Sequence, residues 1–231
     1  MLKILGLSGA RCVTPVSSIE DRVAYLQEFD DNIEVILKEK LDPDRYTALT
    51  VDLLVTDKAI SISNVRKILF ADGIWVGNQI GPDVVFSEEH AQRLIRIGEY
   101  ARQQGYTAVE GYNWGVGYFI SDDDFKVTEI NARWTGGLFP AEMIRLVGAQ
   151  AQTCVAFVDL VREDKFDTHL SFVERHIYGR GDPDFLVIPL GASAIVQTIE
   201  GVNHYFAWQV IAGNFEAFKI AADQSLAMAR L

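Results

Sequence analysis

The sequence is poor in cysteine: among 231 residues there are Cys12 and Cys154, far apart and without metal-ligand spacing. That excludes a disulfide scaffold and suits a reducing compartment, so a cytoplasmic protein with two inert packing thiols is expected. The four histidines are scattered and make no zinc pattern. Positive charge is in deficit: 21 Lys and Arg stand against 32 Asp and Glu, a net charge of −11. A general nucleic-acid binder shows the opposite balance, so nucleic acid is not expected as a partner. No unbroken apolar run is long enough to cross a bilayer as a helix, and the first residues do not have the layout of a signal peptide. No membrane partner is expected either. Internal repeats and low-complexity segments are lacking. What is left is a globular composition, 49% hydrophobic and 23% charged, in a chain long enough for one large domain or two small ones.

The most informative stretch runs from Phe125 to Gly137. It opens as a strand, in which side chains two apart share a face. Glu129, Asn131 and Arg133 therefore can project into one cleft. A carboxylate and an amide oxygen are hard ligands for Mg²⁺. A guanidinium can hold a phosphate or carboxylate bidentately. Gly136 and Gly137 then let the backbone come close to a ligand. The same pattern also fits a solvated strand face ending in a turn, although asparagine is depleted in strands.

Glu129-Ile130-Asn131-Ala132-Arg133 followed by Gly136-Gly137 resembles the metal-binding strand of the ATP-grasp superfamily, whose pattern is Glu-x-Asn-x-Arg. That family forms carbon–nitrogen bonds by phosphorylating a carboxylate with MgATP and letting an amine attack. The resemblance implies ATP and Mg²⁺ as cofactors and small carboxylate and amine substrates. It also gives roles to weaker features in chain order.

Met1 to Leu5 reads as a strand, Gly6-Leu7-Ser8-Gly9-Ala10-Arg11 as a glycine-rich loop, and Cys12 to Val16 as the returning strand. This fits a plain hairpin turn. In the family, a strand lysine leads into such a loop over the triphosphate, and Lys3 with Gly6, Ser8 and Gly9 resembles that. The family normally has a whole region before this point, so the chain looks like the C-terminal part of a longer ligase or a reduced relative, with a separate N-terminal chain as a candidate partner.

Ser18 and Asp21 read as a helix start, with Ile19, Val23 and Leu26 on the buried face. Ile33 to Leu41 reads as a strand that turns charged, which fits an edge strand with protective charges. The resemblance makes it the adenine hinge, with Lys38, Glu39 and Leu41 as the matching residues. Thr47 to Ile80 reads as an antiparallel meander with Leu49, Val51, Leu53 and Val55 on one face and Asp52 on the other. In the family a cation on this meander faces the phosphates, which points to Arg66, with Lys67 on the other face.

Ser87 caps a helix that Gly105 ends. The strand after it carries an aspartate in the family, near Val116 to Phe119, and no acid stands there. Glu110 is the nearest acid upstream and the candidate substitute ligand. Pro140 opens a helix, and Ala149 to Val161 reads as a second, apolar one. The tail reads as strands over Phe185 to Pro189, Ala194 to Ile199 and His204 to Ile211, with Glu200-Gly201 as a tight turn, then a helix capped by Asn214.

The expected architecture is α+β, a partial ATP-grasp fold: residues 1–41 as a partial lobe with glycine loop and hinge, 42–162 as the lobe with the metal site, and 163–231 as a small α+β extension. Lys3, Arg66 and Mg²⁺ would neutralise the triphosphate. Glu129 and Asn131 would hold the metal, and Arg133 with the Gly136 and Gly137 amides would steady the substrate carboxylate. The expected function is ATP-dependent carboxylate–amine ligation. The alternative is a non-catalytic nucleotide-binding or scaffold subunit of a larger complex.

Overall fold

A computed structural model of the chain describes residues 1–4, 13–27, 34–71, 74–177 and 184–226. A small sheet, in the order β2-β1-β3, is built from β1 (Leu2–Ile4), β2 (Val13–Thr14) and β3 (Val35–Leu37). Helix α1 (Ile19–Leu26) accompanies it, and its start is as the sequence indicates: Ser18 accepts from the Asp21 amide and Asp21 accepts from the Ser18 amide. Its apolar side is not buried, however. Ile19 and Val23 are exposed among the described residues, so the amphipathic pattern has no core beneath it there.

The main sheet has eight strands, ordered β10-β11-β9-β6-β5-β4-β7-β8. The meander β4 (Thr47–Val55), β5 (Ile60–Ala71) and β6 (Ile74–Ile80) falls where alternation places it. Strands β7 (Tyr112–Ile120) and β8 (Phe125–Asn131) extend one end. At the other end stand β9 (Cys154–Arg162), β10 (Phe185–Ile199) and β11 (Val202–Gly213). The segment read as a second apolar helix is therefore the central strand β9. Its buried run Cys154-Val155-Ala156 and Leu160-Val161 is covered on both faces. Such a run loses the alternation that identifies a strand, and its β-branched content is the remaining signal. The strands of the C-terminal segment join this same sheet.

Pairing across the sheet sorts the helices. The row Lys67, Gln79, Val155, Ile211 lies on one face, and the row Arg66, Ile80, Cys154, Ala212 on the other. On the first face α2 (Glu88–Gln103) covers β4 and β5 through Leu94 and Ala101, while α4 (Phe166–His176) and α5 (Phe215–Leu226) cover β9 to β11. On the second face lies α3 (Leu138–Leu146), whose Ile144 packs with Cys154, Ile188 and Val210. α4 carries no pattern singled out in the sequence. Arg66 thus stands on the face of α3, the face that also carries Asp52.

Candidate functional site

Two irregular strand pairings aim the site. Between β4 and β5, Thr50 pairs with Arg66 and Asp52 with Ser63, so β5 carries one extra residue, and Asn64 there has φ +51°. An extra residue moves every later side chain to the opposite face. It turns Arg66 toward Asp52. Between β7 and β8 a second shift pairs Gly117 with Glu129 and Tyr118 with Val127. It brings Glu129 and Asn131 onto the face of Gly117 and Gly115. The extra residue, Thr128, is held by its hydroxyl donating to the Gly117 carbonyl at 3.1 Å.

Around Glu129 the structure gathers residues from both sheets. Lys3 Nζ lies 3.4 Å from Glu129 Oε2, and Asn131 Nδ2 donates to Glu129 Oε1 at 3.2 Å. Lys38 donates to the Thr128 carbonyl at 2.6 Å, beside them. Burial and the neighbouring Lys3 hold the Lys38 ammonium below its usual pKa, with Glu129 opposing. Arg133 is not on the strand, which ends at Asn131. It lies in the following loop and reaches back, Nη2 donating to Asn131 Oδ1 at 3.1 Å. The predicted residues Lys3, Lys38, Glu129, Asn131 and Arg133 are therefore brought together, three cations around one carboxylate in a chain of net charge −11. Glu39 is nearby but its carboxylate is tied to Lys126 at 2.6 Å, and Leu41 is half-buried. Gly6, Ser8 and Gly9 lie outside the described residues.

Glu110 is not part of this cluster. It is exposed in the turn before β7, at the far end of that strand from Gly117. The residue facing Glu129 across the ladder is Gly117 itself, where a Cβ would come within 3.0 Å of Glu129 Cγ. No group of three or more His, Cys, Asp or Glu residues that could hold a metal is found among the described residues. The protein therefore offers two hard oxygen donors, Glu129 and Asn131. That set suits Mg²⁺, which is commonly held by one or two side chains together with substrate phosphates and water.

Arg66 also has a place other than the expected one. Its side chain is fully buried, and Nη1 is paired with Asp52 Oδ2 at 2.5 Å while Nη2 donates to Thr135 Oγ1 at 3.2 Å. A guanidinium so enclosed does not face a nucleotide. Thr135 Oγ1 in turn donates to Asp52 Oδ1 at 2.9 Å. Asn113 Nδ2 donates to the Arg133 carbonyl at 3.1 Å and lies 3.4 Å from Asp52 Oδ1. Asp52, Thr135 and Asn113 were not legible as a group. The available signals were an aspartate between Val51 and Leu53 in an apolar strand and Asn113 near the start of β7.

Above Arg66 lies Gly137, the N-cap of α3, which has no side-chain cap. A Cβ on Gly137 would come within 2.6 Å of Arg66 Nε, so glycine is required here by space. Gly136 beside it is exposed. At the start of α3 the Leu138 amide donates to the Thr135 carbonyl at 3.1 Å, and a helix N-terminus favours an anion.

No family model matches the chain. Its sequence is similar to the [butirosin acyl-carrier protein]–L-glutamate ligase of Niallia circulans, 30% identical over 114 residues, which is 48% of this chain and 26% of that protein. Its structure is similar to the carboxyaminoimidazole ribonucleotide synthase of Aspergillus clavatus complexed with ATP, with TM-score 0.59, 17% identity, and 96% of this chain covering 60% of that one. It is also similar to the biotin carboxylase domain of the 2-oxoglutarate carboxylase of Hydrogenobacter thermophilus, in complex with MgADP, ADP and bicarbonate, with TM-score 0.57, 10% identity, and 99% of this chain covering 57% of that one. The chain thus spans about a quarter of the similar ligase and about 60% of the similar structures. In fold, the chain is similar to these structures over nearly its whole length and carries part of the ATP-grasp fold.

Proposed function

We infer that the chain binds MgATP and serves an ATP-dependent carboxylate–amine ligation. The observation that carries this reading is the convergence of Lys3, Lys38 and Arg133 on Glu129 and Asn131. Three cations beside one carboxylate leave positive charge that suits an anionic ligand, and two hard oxygens beside them fit the metal that travels with a triphosphate. Bound MgATP would supply the phosphoryl group that activates the carboxylate for attack by the amine. Lys3 and Lys38 offset the phosphate charge. Glu129 and Asn131 hold the metal, which requires Lys3 to release Glu129. Arg133 offers a planar fork to the substrate carboxylate, with the Gly136 and Gly137 amides before α3 as further donors.

Similar proteins support the reading in kind. One is named as a ligase of L-glutamate, and others were solved with ATP or MgADP. A second reading, nucleotide binding without turnover, has one observation in its favour: Gly117 gives no second carboxylate opposite Glu129.

Titration calorimetry of ATP into the chain, with magnesium and with chelator, tests the shared claim. Saturable binding that weakens without magnesium is expected, and no binding in either condition overturns it. ADP release with L-glutamate and small carboxylates then separates the readings. Release that depends on the carboxylate supports ligation, and binding without release supports the second reading. If ligation holds, Arg133→Lys lowers turnover about 30-fold or more, because lysine keeps the charge and loses the fork.

A further inference from the structure

We propose that Asp52, Arg66 and Thr135 form a buried strut that sets the height and order of the Arg133–Gly137 loop, making Arg66 a positioning residue and not a phosphate ligand. The proposal rests on the reading of Arg133 and the α3 N-terminus as the substrate-facing part of the site.

Asp52 is fully buried in β4. Its carboxylate meets Arg66 Nη1 at 2.5 Å, the Thr135 hydroxyl at 2.9 Å and Asn113 Nδ2 at 3.4 Å. Two of these partners lead to the loop. Thr135 belongs to it, and Asn113 also holds the Arg133 carbonyl at 3.1 Å. One carboxylate thereby fixes both ends of the segment from Arg133 to Thr135. Arg66 completes the frame, since Nη2 holds Thr135 Oγ1 while its Nε, buried and without a hydrogen-bond partner, faces Gly137. The guanidinium is the floor on which the first turn of α3 rests.

A buried ion pair is weak support for stability, because desolvation offsets most of the attraction. A site that must hold a guanidinium and two backbone amides within a fraction of an ångström gains from such a pair in another way. It locks the geometry of the loop that carries them. The bulge at Asn64 has the same meaning, since it is what brings Arg66 to this face.

The hydroxyl of Thr135 separates positioning from packing. Amide hydrogen exchange is read along the 231-residue chain for wild type, Thr135→Val and Thr135→Ser. Valine keeps the shape and loses the hydroxyl; serine keeps the hydroxyl and loses a methyl. The strut predicts that Thr135→Val speeds exchange at residues 133–138 by about tenfold or more, with β4 and β7 amides within about twofold, and that Thr135→Ser stays near wild type. MgATP affinity, measured in parallel, changes less than about threefold, as expected for residues that do not touch the nucleotide. The reverse order, serine loosening the loop and valine leaving it intact, would show a packing role and overturn the proposal. So would a uniform rise across the sheet, or no change in the loop. Arg66→Lys gives a second test, since lysine reaches Asp52 and cannot bridge to Thr135 as well. It must also loosen the loop. Exchange is read without nucleotide, so a chain that does not bind MgATP sinks the functional reading and leaves this test standing.

Discussion

The two ends of the main sheet are built on different principles. At the β9–β11 end, α4 and α5 enclose Phe157, Phe172, Phe185, Phe215 and Phe218, whose rings meet at 5.4 to 6.4 Å between centroids. Stability there comes from apolar burial and aromatic packing. At the β4–β8 end, the α3 face carries a buried ion pair, two bulges, and glycines facing Glu129 and Arg66. Each of these features costs stability compared with an apolar alternative. The difference teaches where to look for chemistry: the end with the buried ion pair spends stability on geometry, and the aromatic end supplies it.

The largest expected effect breaks the aromatic end. Phe218 is about fully buried, and Phe218→Ala should cost about 3–5 kcal/mol of folding free energy. A denaturant melt measures it. MgATP affinity of the folded chain should remain within about twofold, and a larger loss would mean that the two ends are coupled more closely than their separate cores suggest.

The ion pair gives the next effect. Asp52→Asn leaves a buried Arg66 without its charge partner and should cost about 3 kcal/mol. The double replacement Asp52→Leu with Arg66→Met should recover most of that loss, because an apolar pair of similar volume removes two desolvation costs. It should not recover protection of the Arg133–Gly137 loop amides. Recovery of both would erase the distinction between stability and geometry on which the comparison rests.

A smaller effect is expected at the bulge. Asn64 has φ +51°, and Asn64→Val should cost about 1–2 kcal/mol because a β-branched side chain fits the left-handed region poorly. The loss should concentrate in β5 exchange.

The smallest concerns His169 in α4, which is buried, with Nδ1 lacking a hydrogen-bond partner among the described residues. Burial lowers its pKa from 6.5. The unfolded chain then binds a proton that the folded chain refuses. Stability is therefore full above about pH 6.5 and is lost as pH falls from there through the lowered folded pKa. A shallow fall in melting temperature below pH 6.5 that flattens in His169→Gln is the expected outcome.

The sequence discloses the two ends unequally. Glu129, Asn131 and Arg133 were legible because short-range alternation and a recognisable pattern coincide in one stretch. Lys3 and Lys38 were legible only through chain order, and their meeting with Glu129 depends on the small sheet docking against β8. Arg66 was found for a role that its burial rules out, because the bulge that turns it inward comes from pairing with β4, which local sequence does not encode. Glu110 was the nearest acid in sequence, yet strand length carries it away from Glu129. At the aromatic end β9 read as a helix, since a strand covered on both faces has no alternation to display. The long strand β10 read as two pieces because its pairing with β11 shifts register around Pro189 to Gln197.

The proposed role of Glu129 as a magnesium ligand has the most direct test. Calorimetry of ATP binding to wild type and Glu129→Gln, each with and without magnesium, measures it. Glutamine keeps the size and removes the charge at an exposed position, so the fold should be unchanged. The account predicts that magnesium strengthens ATP binding to wild type and that the substitution removes at least about tenfold of that gain, about 1.4 kcal/mol. The magnesium-free affinity should be equal or better, because Lys3 is then released from its carboxylate. An unchanged magnesium dependence in Glu129→Gln would contradict the account.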